Sequence, residues 1–461
     1  KGVLWMFDAL IIGGGPGGYV CAIKLAQYGK SVAIVEKENL GGTCTNWGCI
    51  PTKALLTATH LLDEAREKSD KLGIKLSVEG FELSKIMAHA QKNIVMGRKG
   101  IEFLMKKNNV TVYKGTAEVV TKNRVRVKET GEEIECANLV LAHGSVPVVF
   151  PPFDSVEGIW TSNDVFVMKE LPKSILIVGG GVIGVEFATF FSSLNVKVTV
   201  VELADHILPN EDSDVAEELK KAFARKGVEI LEKSKVTGVE KIDGGYKAIV
   251  VGNDGNEKVY NVDRVLVAVG RRPNIPEDVR NLGVEINKGV KTDERMRTNI
   301  EGVYAIGDIR GQIMLAHVAS HEGIVAANNI AGVDSHADYS AVPSIIFTNP
   351  EIASTGLRER DIDKTKQNVS ISKFPLSANG RARTMLENIG FAKVITDAKT
   401  GVVLGMSIVS PSATELIMEG VIAVRNHLTA KQLEESIHPH PTLSETLLGA
   451  FEGATGKPIH L

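Results

Sequence analysis

One pattern occurs twice in this chain and limits its fold more than any other feature. Residues Phe7 to Ile12 read as a buried strand, Gly13-Gly14-Gly15-Pro16-Gly17-Gly18 follows, and a helical stretch runs to Tyr28. A second strand, Ser31 to Val35, ends at Glu36. The same order returns from Ile175 to Val178 through Gly179-Gly180-Gly181-Val182-Ile183-Gly184 to a strand, Lys197 to Val201, that ends at Glu202. In each copy the acid stands 18 residues past the last glycine. A lone G-x-G-x-x-G is weak evidence. Two, each with strand, helix, strand and acid in place, predict an α/β fold with two Rossmann-like dinucleotide-binding domains.

Each position has a physical reason. The first glycine (Gly13, Gly179) allows a tight turn, the second (Gly15, Gly181) lets backbone approach a pyrophosphate, and the third (Gly18, Gly184) lets helix and strand pack closely. The helix N-terminus then offers free N–H groups and a partial positive charge to phosphates. A carboxylate at the end of the second strand accepts hydrogen bonds from a ribose 2′-OH and repels a 2′-phosphate, so Glu202 favours NAD over NADP.

Later segments extend the scheme. Leu139 to Ala142 before Gly144-Ser145, and Val265 to Val269 before Gly270-Arg271-Arg272-Pro273, are late strands that meet a glycine at comparable places. Thr298 to Asp308 reads as another apolar strand ending in Gly-Asp, where Asp308 could bind a sugar hydroxyl or cap a helix. From Ala341 the texture changes. Strand-like segments at Ser344 to Phe347, Ala392 to Thr396 and Gly405 to Val409 precede an apolar helix, Ala413 to Arg425, as in a separate α+β domain without a nucleotide fingerprint.

Composition removes several classes of function. In 461 residues, 53 basic and 56 acidic side chains leave a net charge of −3, which gives no bulk electrostatic case for nucleic acid or an anionic membrane. No run of 18 apolar residues marks a membrane span. Lys1 to Trp5 is too short for a signal peptide and leads into the first strand, with Met6 a natural start. Cys21, Cys44, Cys49 and Cys136 are too few for a disulfide scaffold, so the expected setting is cytoplasmic, or an organelle matrix. A disulfide in such a chain suggests catalysis.

The candidate is Gly41-Gly42-Thr43-Cys44-Thr45-Asn46-Trp47-Gly48-Cys49-Ile50-Pro51-Thr52-Lys53, directly after the first acid. In a regular helix Cys44 and Cys49 would lie about 140° apart around the axis. Bridging them requires a distorted segment, which Gly48 and Pro51 permit. So short a bridge would stabilise by only about 2 kcal/mol, leaving redox chemistry as its greater value. A thiolate near a helix N-terminus and beside Lys53 would have a lowered pKa. Two reduced, buried thiols remain the alternative. Zinc would need about four ligands, and no second Cys/His cluster accompanies the pair. Cys21 and Cys136 read as packing residues.

Near the end stands His438-Pro439-His440-Pro441-Thr442-Leu443-Ser444-Glu445. Pro441 biases His440 toward an extended conformation, and Thr442 to Glu445 has the spacing of a capping box. Glu445 therefore has a structural role open to it. It could also orient His440 and stabilise its imidazolium, making His440 a general acid/base. A His-x-His metal site finds no third ligand, so no metal is expected.

This ordered set, from GGGPGG through GGTCTNWGCIPTKALL, GGGVIGVE and AIGD to HPHPTLSE, resembles the pyridine-nucleotide disulfide oxidoreductase family over essentially the whole chain. Within that family it is most similar to the branch that oxidises dihydrolipoamide with NAD⁺. The resemblance implies an FAD-binding domain at 1–145, an NAD-binding domain at 146–270, a central domain at 271–340 completing the FAD site, and a dimerisation domain at 341–461. It implies that Gly13, Gly15, Gly18, Glu36, Lys53, Ala117, Asp308 and Ala316 contact FAD. It places Gly181, Gly184, Glu202, Val236 and Gly270 against NAD, and Glu186 opposite the flavin lysine. Cys44 then corresponds to the thiol that meets substrate and Cys49 to the thiol against the flavin, the two forming a redox disulfide. His440 would come from the partner of a homodimer, and the substrate would ride on lipoyl domains of 2-oxo acid dehydrogenase complexes or a glycine cleavage system. Thr45, Trp47, His143 and Phe347 depart from the usual family residues. Glutathione-type reductases share the frame but use NADPH and favour basic residues where Glu202 stands. A flavin NADH oxidase would not need the paired cysteines, and mercuric reductases usually carry further C-terminal cysteines.

Overall fold

Unbroken apolar runs make strands covered on both faces, as parallel sheets require. In this computed structural model, which describes residues 6–365 and 368–461 (the side chains of Lys364 and Thr365 excepted), Ala9, Leu10 and Ile11 are fully buried. Lys1 to Trp5 lie outside the described residues. Phe7–Ile12 pairs in parallel with Val32–Glu36 on one side and Glu133–Leu141 on the other, so that Ile11 stands between Ile34 and Val140. Thr111–Lys114 extends one edge, and Val303–Ala305 returns from far along the chain to pair with Glu133–Leu141. Arg124–Val127 and Ala117–Thr121 continue from Glu133–Leu141 as antiparallel strands.

The second unit repeats this plan. Its parallel order is Glu229–Leu231, Lys197–Val201, Ser174–Val178 and Arg264–Val267, with Ile177 between Val200 and Leu266. An antiparallel meander, Lys235–Ile242, Gly245–Val251 and Glu257–Val262, is inserted before the last strand. The third unit is a five-stranded antiparallel sheet in the order Ser344–Ile346, Glu351–Gly356, Val403–Ser410, Phe391–Asp397, Val369–Pro375. Helices Ala413–Arg425 and Glu445–Thr455 cover it, burying Ile417, Leu447 and Phe451.

Most predicted elements end within two residues of their observed bounds, the ordinary scatter of element ends. The strand read at Leu139 to Ala142 begins earlier, at Glu133, where it pairs with Arg124–Val127, and Thr298 to Asp308 departs further. Only Val303–Ala305 is strand, because Thr298 N–H and Oγ1 both donate to the Val303 carbonyl (3.0 and 2.9 Å) and close a turn over Ile300 to Gly302. Gly307–Arg310 is then a short 3₁₀ turn carrying Asp308.

Buried charge ties the second and third units. Lys393, 1% exposed, places its ammonium 2.8 Å from both Asp212 and Asp214 and 2.9 Å from Glu359. A buried ammonium is tolerable only when so paired. Among the described residues, no helix is long and apolar enough to cross a membrane.

Candidate active site

A cleft of about 1700 Å³ runs between the first two units and is lined by both glycine loops. That exceeds the roughly 300–1,000 Å³ of an ordinary small-molecule pocket. Gly13, Gly15, Gly18 and Glu36 line it from the first unit, Gly181, Glu202, Val236 and Gly270 from the second. Ala117, Asp308 and Ala316 also face it, and so do Cys44, Cys49, Lys53 and Glu186. Gly184 does not line it. A Cβ there would lie 2.0 Å from the Gly179 carbonyl oxygen, so this glycine lets the helix sit against its own loop.

The loops bend where only glycine fits. Gly13 and Gly179 have φ of 105° and 101°, and a Cβ would lie 2.2 Å from the Ala142 oxygen and 2.6 Å from the Ala268 oxygen. Helices Pro16–Gln27 and Val182–Ser193 begin at Gly15 and Gly181 with no side-chain cap and no acid in the first turn. Their first N–H groups are therefore free for an anion, with the positive end of each helix behind them. Glu36 accepts from Gly14 N–H and Glu38 N–H, each at 2.7 Å. Glu202 accepts from Gly180 N–H and Ala204 N–H, also each at 2.7 Å. Backbone thus aims each carboxylate beside its loop, and both cradles fit the pyrophosphate and ribose of a dinucleotide.

The segment between the cysteines is distorted as their spacing requires. Gly42–Trp47 is one helix, Gly48 breaks it at φ −153° and ψ −112°, and Cys49–Lys68 starts a second. Asn46 holds the bend by donating to the Gly42 and Leu40 carbonyls at 2.8 and 3.2 Å, while Arg98 donates to its side-chain oxygen. The cysteines are present as thiols. The neighbouring Cys44 thiol, with Lys53 nearby, holds the Cys49 thiol below its ordinary pKa against the opposing effect of burial. The pairing with Cys49 and burial push Cys44 up. One thiolate of the pair is thereby favoured, at the first residue of a 20-residue helix.

Lys53 is itself fixed. Its ammonium lies 2.8 and 2.9 Å from the two Glu186 oxygens and 4.6 Å from the centre of the Phe347 ring, while Phe347 N–H donates to Glu186 at 3.0 Å. Phe347 therefore serves this pair through its ring face and backbone, neither of which needs a phenol. Trp47 lines the cleft, and Thr45 is buried beneath it against Gly41 and Gly97. His143 also lines the cleft, but neither ring nitrogen has a partner among the described residues, and burial pushes its pKa down to about 4.

Arg271 is a residue that sequence reasoning did not single out. Ser145 Oγ donates to Asp308 at 2.5 Å, and Arg271 donates to Ser145 Oγ at 2.8 Å and to its carbonyl at 2.7 Å. The guanidinium thus orients Asp308 through Ser145. The only local signal was an arginine directly after the late glycine, Gly270.

His440 and Glu445 stand apart. His440 Nδ1 lies 2.9 Å from Glu445 Oε1, and Glu445 Oε2 accepts from Thr442 N–H at 2.9 Å. Despite burial, these two bonds lower the Glu445 pKa. The expected capping box is only half formed. Thr442 Oγ1 donates to the Pro439 carbonyl at 2.7 Å, and the helix begins at Glu445 with Ser444 as its cap. Glu445 consequently serves backbone and histidine at once. Neither residue lines the cleft, and the His440 side chain is 78% exposed. The single chain gathers the cysteines, Lys53 and Glu186, and presents the histidine–glutamate pair outward.

Comparison with known proteins agrees with this geometry. The family model for pyridine nucleotide-disulphide oxidoreductases matches residues 7–323, and the model for the dimerisation domain of the same family matches 342–451. Dihydrolipoyl dehydrogenase of Geobacillus stearothermophilus is 39% identical over 98% of this chain and 97% of its own length. Dihydrolipoyl dehydrogenase of Chlamydia trachomatis is 40% identical over 99% and 98%. The solved structure of LpdA from Mycobacterium tuberculosis superposes with a TM-score of 0.88, covers 96% of this chain and 99% of its own, and is 29% identical.

Proposed function

The chain belongs to the pyridine nucleotide-disulphide oxidoreductase family, and from that premise we propose that it oxidises dihydrolipoamide to lipoamide with NAD⁺, by way of Cys44, Cys49 and FAD. The observation that carries this reading is the shared cleft, in which two dinucleotide cradles meet one pair of neighbouring cysteines. The names of the relatives, at 39–40% identity over nearly the full length, support the same substrate.

In the oxidised protein, Cys44 and Cys49 form a disulfide. The partner's His440 takes a proton from one thiol of dihydrolipoamide, and the resulting thiolate attacks Cys44 Sγ. The Cys44–Cys49 bond breaks, and Cys49 leaves as a thiolate. The second substrate thiol then displaces Cys44, closing lipoamide, so that two electrons reside on the cysteine pair. Lys53 stabilises the Cys49 thiolate, and Glu186 fixes Lys53. Glu445 holds His440 in one tautomer and supports its imidazolium. FAD held by Gly13, Gly15, Glu36, Lys53 and Asp308 would supply a two-electron acceptor for the thiols and a hydride donor for NAD⁺.

We assign FAD to residues 1–145 and 271–340, NAD to 146–270, and dimerisation to 341–461. Within these, Gly13, Gly15, Gly18, Glu36, Lys53, Ala117, Asp308 and Ala316 serve FAD, Gly181, Glu202, Val236 and Gly270 serve NAD, and Gly184 shapes the second loop by letting its helix pack against it. The outward face of His440 favours a homodimer in which each histidine works in the other cleft. Lipoyl domains fit as partners, since a tethered dithiol reaches a cleft assembled from two chains, and a reducing cytoplasm suits a thiol pair that must cycle. A Glu202 carboxylate disfavours the NADPH of glutathione-type reductases.

The test is Cys49→Ser. Turnover of dihydrolipoamide should fall at least about a thousandfold, as for loss of a covalent catalyst. Normal turnover in that variant would reject the reading.

A further inference from the structure

His438 has no role in the relay, yet it is the better buried of the two histidines in the terminal motif. Its side chain is 6% exposed, whereas that of His440 is 78% exposed and Ile437 beside it is 99% exposed. The loop between helices Ala430–Glu434 and Glu445–Thr455 therefore turns one imidazole inward and presents the other outward.

The inward ring is held at both nitrogens. Nδ1 lies 2.9 Å from the Ser436 carbonyl oxygen, and Nε2 lies 3.0 Å from Glu419 Oε1 on helix Ala413–Arg425. A carbonyl oxygen can only accept. Satisfying both bonds at once therefore requires an additional proton, shared between the imidazole and the Glu419 carboxyl. The groups facing the ring are Glu419 from one helix, and Glu445 and the Phe451 ring from another, the ring centroids 6.5 Å apart. Both acids favour the imidazolium, which agrees with a His438 pKa raised chiefly by the Glu419 bond.

We propose that the His438–Glu419 pair is a positioning device that locks this loop and so fixes the angle at which His440 enters the partner's cleft. The inference rests on the proposed function, because only thiol–disulfide exchange uses His440. The C-terminal side of the loop is held by Asn379, which donates to the Thr442 carbonyl at 3.0 Å and to Thr446 Oγ1 at 2.9 Å. On the side before His440, Pro439 and Pro441 lack N–H donors and the Thr442 hydroxyl bonds within the loop itself, so the charge-assisted bond from His438 to the Glu419 helix is the tether there.

The experiment uses the flavin-loaded dimer and two reactions. Oxidation of dihydrolipoamide requires His440, whereas electron transfer from NADH to ferricyanide does not. Glu419→Ala and His438→Ala should lower kcat for dihydrolipoamide about tenfold or more, in keeping with a misplaced proton acceptor. Their NADH–ferricyanide rates should stay at the wild-type level. Glu419→Gln, which keeps an amide able to bond a neutral ring, should restore the dihydrolipoamide rate to within about twofold. Folded variants with wild-type dihydrolipoamide rates would overturn the proposal, as would an equal loss of both reactions. If the alanine variants fail to fold, ¹⁵N spectra of histidine-labelled wild-type protein decide. Two protonated ring nitrogens at His438, or an Nε2 carrying the shift of a hydrogen-bond acceptor, support the tether, and an Nε2 with the shift of a free, unbonded nitrogen overturns it. A wild-type protein inactive toward dihydrolipoamide would instead reject the functional reading beneath it.

Discussion

The two glycine-loop units use the same backbone device and surround it differently. In both, a left-handed glycine passes under a late-strand carbonyl, and a glutamate accepts one N–H from the loop and one from two residues beyond itself. The first loop is closely covered. A Cβ at Gly323 would lie 2.5 Å from the Gly17 oxygen, so helix Ala316–Ile330 presses directly on helix Pro16–Gln27, and a Cβ at Gly42 would lie 2.7 Å from Gly15 Cα. The second loop is open. A Cβ at Gly181 would meet nothing within 4 Å, and Val182 and Leu203 beside it are 40% and 70% exposed. A relay needs one cofactor that stays and one that leaves, and the packing around two equal cradles supplies that difference.

The largest effect expected from this contrast comes at the covered loop. Gly323→Val would force helix Ala316–Ile330 off its neighbour, costing about 1–3 kcal/mol by overpacking. Retention of FAD should fall, measured by flavin absorbance after gel filtration. Gly181→Ala should instead leave flavin content unchanged and raise KM for NAD⁺ by about tenfold, a loss near 1.4 kcal/mol. Equal loss of flavin in both variants would erase the contrast.

The glutamates give a sharper, smaller test. Removing a carboxylate that accepts two N–H bonds costs about 1–3 kcal/mol where the donors stay buried. Glu202→Ala should therefore reduce the preference for NAD⁺ over NADP⁺ by about tenfold or more, read as a ratio of kcat/KM, without releasing flavin. Glu36→Ala should weaken flavin and leave the nicotinamide preference unchanged.

Between the cradles, the reduced cysteine pair gives a pH prediction. Cys49 titrates below the ordinary thiol value because of the neighbouring Cys44 thiol and Lys53, while burial and Glu186 oppose them. A depressed thiol pKa contributes stability above the unfolded value, and that contribution is lost as pH falls through the folded value. Thiolate absorbance of reduced protein should thus rise with a midpoint below that of free cysteine. Glu186→Gln should move the midpoint lower still, by about one unit or less, since a nearby negative charge is removed. A midpoint moving upward would contradict this arrangement.

The smallest effect belongs to His143. Its ring nitrogens bond to nothing among the described residues, so His143→Thr should change stability by less than about 1 kcal/mol. A fall in Tm larger than a few degrees would reveal a partner.

What was legible in the chain was whatever local order encodes. Both cradles could be read because strand, glycines, helix and acid follow within some thirty residues, and the break between the cysteines because Gly48 stands there. Thr442 misled because its hydroxyl found the Pro439 carbonyl before any helix N–H, a competition that spacing does not record. Contacts across the fold were silent. Lys53 meets Glu186 over 133 residues and Arg271 meets Ser145 over 126, and only family resemblance anticipated the first. His438 was visible as part of a motif, but its tether to Glu419 was not.

The most direct measurement adds dihydrolipoamide to the flavin-loaded protein without oxygen, records the flavin spectrum, and then supplies NAD⁺ or NADP⁺. A long-wavelength thiolate–flavin band should appear, followed by NADH from NAD⁺ and little NADPH from NADP⁺. A flavin that stays fully oxidised would contradict the relay through Cys44 and Cys49.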